Sequence, residues 1–69
     1  MTMKQDMVLR LFDSYKYKNI GSNAIHDLLR QAGLVEQHRR KDYFMWLLAI
    51  GKLKYNKKTN RYDILKGDK

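Results

Sequence analysis

Five consecutive residues, Gln37, His38, Arg39, Arg40 and Lys41, concentrate hydrogen-bond donors and positive charge in a short stretch of the chain. An arginine guanidinium can donate two parallel hydrogen bonds to guanine, and a glutamine amide can pair in a similar way with adenine. A lysine ammonium is a point charge that suits a phosphate oxygen. These residue types predict a nucleic-acid contact, with Arg39 as the main base reader and Lys41 on a phosphate.

A second basic group lies near the C-terminus and is accompanied by a single acid, Asp63. Its members are Lys52, Lys54, Lys57, Lys58, Arg61 and Lys66. Lysines at an exposed hairpin tip suit phosphate contacts or entry into a minor groove. Charged residues also protect strand edges from pairing with other chains, which is the alternative explanation. Because the first basic group has the same sign, we favour binding. The predicted contacts here are Lys54, Lys57, Lys58 and Arg61.

The overall charge agrees with these local patterns. The chain has 69 residues, with fifteen Lys and Arg against seven Asp and Glu, and a formal net charge of +8. Such an excess attracts a polyanion, most often DNA or RNA inside a cell. No apolar run approaches the roughly 20 residues of a membrane span, and the N-terminus lacks a signal-peptide pattern. We therefore expect a cytoplasmic protein without a membrane partner, associated with a nucleoid or acting in an infected host cell.

The sequence offers no recognisable catalytic or metal-binding pattern. There is no cysteine, and the two histidines, His26 and His38, are too far apart to form a helix-spaced metal pair. Ser14 and Ser22 are not embedded in a nucleophile motif, and no glycine-rich loop could hold a nucleotide phosphate. The expectation is a protein that is not an enzyme and needs no cofactor or metal.

The elements that must position the basic residues follow from hydrophobic spacing. Apolar residues at helical spacing predict a first helix from Thr2 to about Tyr17 and a second that begins with Ser22 or Asn23 as N-cap and ends at Gly33. Between them, Ile20 is predicted as a strand of one or two residues.

The rest of the chain predicts a third helix and a hairpin. The helix runs from about Glu36 to Ile50 and is closed by Gly51. After it the period changes to two, which predicts a β-hairpin with a turn at residues 56–60. In this hairpin Leu53, Tyr55, Tyr62 and Ile64 share one face, and Asn60 is a natural left-handed turn residue.

This order of elements resembles a winged helix-turn-helix over about residues 3–65. The resemblance is carried by Phe44, Leu47, Gly51 and Leu53, which match the end of a recognition helix and the opening of a wing, and by the returning strand with Tyr62 and Ile64. It implies an α+β, mostly α, domain of three helices and a hairpin wing over residues 1–66, with a frayed tail at 67–69. It also implies that helix 37–50 enters the major groove of double-stranded DNA and that wing 52–65 lies on phosphates.

Two positions strain this resemblance. The family usually has an apolar residue where this chain has Arg40, so either Arg40 runs along the helix with its charge in water, or Val35 fills that space. Trp46 falls outside the face used by Phe44 and Leu47. It packs under the wing or, together with Met45, anchors a partner protein.

Three functional readings stay open. The first is a small transcriptional or recombination regulator, of phage type by its composition, that binds DNA as a homodimer or as neighbouring copies, with Ser22 and Asn23 donating to a phosphate. The second is a protein-interaction module that modulates a polymerase or replication complex through Met45 and Trp46. The third is non-specific or single-stranded binding by the alternating Tyr and Lys residues 15–18.

Overall fold

A computed structural model describes residues 2–65, which form three α-helices and a small three-stranded antiparallel sheet. The elements are α1 (Met3–Ser14), β1 (Asn19–Ile20), α2 (Ser22–Gln31), α3 (Gln37–Ala49), β2 (Leu53–Asn56) and β3 (Arg61–Ile64). The predicted α+β class, mostly helical, is confirmed. Lys66 and the predicted tail at 67–69 lie outside the described residues. No helix within residues 2–65 has the length and apolar character needed to cross a bilayer.

A single core receives side chains from every element. The residues with almost no solvent exposure are Val8, Phe12, Ile20, Ile25, Leu28, Leu29, Ala32, Leu34, Leu47, Leu53 and Ile64. Apart from Ala32 and Leu34, which lie between α2 and α3, they follow the helical period of the helices and the inward face of the strands. A domain of this size has little apolar surface to bury, which makes each of these contacts important for stability.

The predicted hairpin is present and gains a third strand. Leu53 pairs with Ile64 and Tyr55 with Tyr62, so these four side chains share one face as predicted. Asn60 has a positive φ of 57° in the turn, as expected for this residue type. β1 pairs antiparallel with the other edge of β3, giving the strand order β1-β3-β2.

Two glycines end α2 and α3 in the same way. Gly33 and Gly51 have φ values of +92° and +82°, which side chains with a Cβ rarely adopt. After them, the Leu34 amide donates to the Leu29 carbonyl at 3.1 Å, and the Lys52 amide donates to the Leu47 carbonyl at 2.9 Å. This arrangement satisfies carbonyls at each helix end and turns the chain sharply toward the next element.

Two predicted helix boundaries were wrong. α1 ends at Ser14 rather than near Tyr17, because the chain must become extended to pair β1 with β3 and bury Ile20. The N-cap of α2 is Gly21 rather than Ser22 or Asn23, and no side chain caps this helix. Pairing of β1 requires extended backbone up to Ile20, and Gly21, also extended, already accepts the first helical hydrogen bond from Ile25.

Candidate nucleic-acid interface

The two exposed cations at the start of α3, Arg39 and Lys41, lie on different sides of the helix. Side chains three, four or seven positions apart lie on the same side of a helix. Lys41 therefore shares a side with Phe44, whose ring contacts Tyr62 of β3 with centroids 5.1 Å apart. Arg39 instead shares a side with Trp46, which faces away from the hairpin. Both cations are exposed, but only Lys41 lies on the flank next to the hairpin.

The remaining predicted contacts on α3 occupy its exposed side. Gln37 lies one turn before Lys41 on the side of α3 next to the hairpin. His38 lies one turn before Asp42, on the side of the helix that is farthest from the core. The His38 ring lies 3.8 Å from the Glu36 carboxylate, measured between Nε2 and Oε1. The Asp42 carboxylate has no hydrogen-bond or ion-pair partner within residues 2–65. An exposed acid on this ridge would accept a hydrogen bond from cytosine but would repel a phosphate.

Arg40 is the one predicted contact that the structure removes from the surface. The residue is only 8% exposed. Its Nη1 donates to the carbonyls of Leu34 and Val35 at 3.2 and 2.6 Å, and its Nε donates to His26 Nδ1 at 3.2 Å. Val35 is 75% exposed and does not fill the space. The arginine thus takes the place of the expected apolar residue, because its guanidinium satisfies the carbonyls of the α2–α3 turn.

A row of aromatic rings fixes the hairpin against α3. His26 meets Phe44 at 5.8 Å, Phe44 meets Tyr62 at 5.1 Å, and Tyr62 meets Tyr55 at 5.3 Å, each in an edge-to-face arrangement. Such pairs contribute about 0.5–1.5 kcal/mol each beyond their buried area. The row spans α2, α3, β3 and β2, so the hairpin cannot move far from α3 without breaking it.

The single acid of the hairpin holds the three strands together. Asp63 lies on the central strand, and its carboxylate accepts hydrogen bonds from Asn19 Nδ2 at 2.7 Å and from Asn56 Nδ2 at 3.1 Å. Asn19 belongs to β1 and Asn56 to β2, on opposite edges of the sheet. The carboxylate is therefore engaged by neutral amides and, within residues 2–65, is not paired with a lysine of the hairpin.

Four cations of the hairpin are exposed and lack an ion-pair partner in the described part of the chain. Lys54, Lys57, Lys58 and Arg61 have no acidic partner within residues 2–65. The basic residues of the rest of the fold are mostly engaged: Arg10 pairs with Asp6, Arg30 with Asp27, and Lys52 with Asp13, while Lys4 donates to the Ala32 carbonyl. Folding thus leaves much of the unneutralised charge on the hairpin and the start of α3.

A cleft brings the predicted α2 contacts together with the hairpin turn. Ser22 and Asn23 are exposed and line a cleft of about 600 Å³ whose other walls include Tyr15, Tyr17 and Arg61. The Tyr15 and Tyr17 rings meet edge to face at 5.7 Å, and the Lys16 ammonium lies 5.2 Å from the centre of the Tyr17 ring. The cleft combines aromatic, amide and cationic groups.

Met45 and Trp46 have different environments. Met45 is 60% exposed, and Leu48, one turn after it, is also exposed. Trp46 is half-buried, packs against the core and meets Tyr43 edge to face at 5.8 Å. Trp46 lines a shallow pocket with Gln5, on the side of α3 away from the hairpin, so it does not pack under the wing as the sequence suggested.

The fold lowers the pKa of His26. Burial lowers the pKa of His26, the neighbouring Arg40 and Arg30 charges lower it further, and Asp27 opposes them. The neutral imidazole can accept the Arg40 hydrogen bond, which a protonated ring cannot do. Among residues 2–65, no three His, Cys, Asp or Glu side chains are grouped so that they could hold a metal ion.

Sequence reasoning missed the roles of Asn19, Asn56 and Lys4, since each contacts a group distant in the chain. Only the strand register could have indicated the amides around Asp63.

No protein-family model, curated protein or solved structure matches the chain.

Proposed function

We propose that this protein is a winged helix-turn-helix that binds double-stranded DNA and acts as a small transcriptional or recombination regulator. In this proposal α3 enters the major groove with Gln37, His38 and Lys41 toward the bases and backbone. The hairpin is the wing, and its cations lie on flanking phosphates. Arg39 contacts the opposite edge of the groove from the flank of α3 that carries Trp46.

The observation that carries the proposal is the pairing of two unneutralised basic groups on adjoining elements. Lys41 lies on the flank of α3 whose Phe44 contacts Tyr62, and the hairpin beyond Tyr62 carries Lys54, Lys57, Lys58 and Arg61 without acidic partners. Like charges on adjoining elements add to one positive potential, which attracts an anion that can lie across both elements. The phosphates of a DNA duplex supply such an anion.

The decisive experiment is fluorescence anisotropy with a duplex selected from a random library, a random duplex and a single strand of equal length, in a series of salt concentrations. Each phosphate contact contributes about −0.9 to the slope of log K against log salt. Contacts by Lys41 and by the four hairpin cations therefore predict a slope of about −4 to −5 on duplex DNA. The selected duplex should bind more tightly than the random one. A slope near zero, or equal binding of the single strand, would contradict the proposal.

Two matched variants test the assignment of residues. Lys41→Gln should weaken binding to the selected and random duplexes alike, since a phosphate contact carries no sequence information. Arg39→Gln should reduce mainly the preference for the selected duplex. Arg30→Gln removes one charge that is already paired with Asp27, and it serves as the control with little effect on either quantity.

The protein-interaction alternative draws on one observation, the exposed apolar side chains of Met45 and Leu48 one turn apart on α3. If that surface binds a polymerase or replication protein, Met45→Lys should abolish the interaction and leave DNA binding intact. Trp46 contributes less to this candidate than the sequence suggested, because it is half-buried against Tyr43.

A further inference from the structure

We propose that the outer face of α1 binds a second copy of this chain, with the two α1 helices antiparallel. The inner face of α1 is fully used, since Val8 and Phe12 are completely buried. The opposite face exposes Met3 at 85% and Met7 at 43%. These methionines border a shallow groove of about 390 Å³, lined by Met3, Asp6, Met7, Arg10, Leu11 and Ser14. Methionine side chains adapt readily to an apolar partner.

Charge indicates that the occupant is another copy of the chain. The protein carries a net charge of +8, so two copies repel each other across most of their surfaces. α1 is different, because its two basic residues, Lys4 and Arg10, are balanced by Asp6 and Asp13. It is a neutral helix with an apolar outer face on a strongly basic protein.

The exposed ion pair on this face is self-complementary. Lys4 donates to the Ala32 carbonyl and Asp13 pairs with Lys52, so both are engaged within the fold. Asp6 and Arg10 lie one turn apart, 3.0 Å from each other and largely exposed. They have opposite signs, so a two-fold arrangement can place each of them near its counterpart in the other copy.

Antiparallel pairing matches these groups. With a two-fold axis level with the middle of the helix, Met3 of one copy faces Ser14 of the other, and Met7 faces Arg10. Measured along the helix axis, Asp6 of each copy is then only about 1.5 Å away from Arg10 of the other copy. A parallel pair would instead place Asp6 beside Asp6 and Arg10 beside Arg10, which is unfavourable.

The expected dimer is weak and concentration-dependent. One face of a three-turn helix buries less than the roughly 1,200–2,000 Å² of a standard stable interface. Sedimentation velocity from low micromolar to near-millimolar protein should therefore reveal a monomer that converts progressively to a dimer. A chain that stays monomeric throughout this range would overturn the proposal.

Charge exchange tests the pairing itself. Asp6→Arg and Arg10→Asp each place like charges opposite one another, and each alone should raise the dimer dissociation constant by about tenfold. An equimolar mixture of the two variants restores opposite charges across the interface and should dimerise like the wild type. Neither variant regains its own Asp6–Arg10 ion pair in the mixture, so the rescue reports only on contacts between chains.

Circular dichroism of each variant establishes that it is folded before it is compared. Met7→Lys is the second variant, in case charge exchange disturbs α1, and it should also weaken the dimer. Single variants that dimerise as well as the wild type would overturn the proposal, as would a mixture that shows no rescue. The α1 face shares no residue with the proposed DNA interface, so the loss of DNA binding would not affect this result.

Discussion

Arg40 and Arg61 have the same side chain and opposite environments. Arg40, on α3, is buried, and its guanidinium donates to two backbone carbonyls and to His26. Arg61, at the start of β3, is exposed and has no ion-pair partner within residues 2–65. Both occur in strongly basic stretches of sequence. The position of an arginine relative to the core, and not the charge of its sequence neighbours, therefore decides whether it supports the fold or stays available to a ligand.

The largest expected effect is the loss of stability when the buried arginine, Arg40, is replaced. Arg40→Ala removes the donors of the Leu34 and Val35 carbonyls and the packed stem of the arginine, and should lower the free energy of unfolding by about 3 kcal/mol. The thermal midpoint should fall by about 12–24 °C. Arg39→Ala, on the exposed flank, should change stability by less than about 0.5 kcal/mol. Equal effects of the two substitutions in thermal denaturation would contradict the distinction.

The next effect concerns the exposed side. Replacing Lys54, Lys57 and Lys58 together by Gln should reduce the slope of log K against log salt for duplex DNA by about 2.7, and weaken binding by about 10- to 100-fold. The fold should survive, because all three side chains are exposed. Arg30→Gln, which removes a charge that is paired within α2, is the control, and the losses are compared per charge removed. A control with as large a loss would show that only total charge matters.

A smaller effect separates stability from binding within the hairpin itself. Asp63→Asn keeps the shape of the side chain but leaves one oxygen to accept from Asn19 and Asn56, and should cost about 1 kcal/mol in chemical denaturation. DNA affinity should not fall, since the substitution removes negative charge near the cations. Asp42→Asn, whose carboxylate has no partner within residues 2–65, should leave stability unchanged.

The smallest expected effect is a pH dependence of stability that arises from His26, the partner of the buried Arg40. Because the pKa of His26 is lowered in the fold, the folded protein binds fewer protons than the unfolded chain below the usual histidine pKa of 6.5. The contribution of His26 to stability is therefore complete above pH 6.5 and is lost as pH falls toward the lowered pKa. His26→Gln retains an acceptor for Arg40 but does not titrate, so its stability should vary less between pH 7 and 5. Identical profiles would exclude this linkage.

Local patterns predicted much of the fold because they depend on near neighbours. The apolar spacing around Val8 and Phe12 indicated α1, and the alternation around Tyr55 and Tyr62 indicated the hairpin and the face that its apolar residues share. Gly33, Gly51 and Asn60 marked their left-handed positions, because few other residues accept such a backbone conformation. The end of α1 was misplaced because pairing of β1 with β3 overrides the helical tendency of residues 15–17.

The sequence by itself determined the excess of positive charge, the order of elements and the core stripes, since composition and periodicity carry this information directly. Only the tertiary structure decided which charges remain available. It buries Arg40, pairs Lys52 with Asp13, and assigns Asp63 to two asparagine amides. These contacts join residues far apart in the chain, so their energies depend on distances that no local pattern contains.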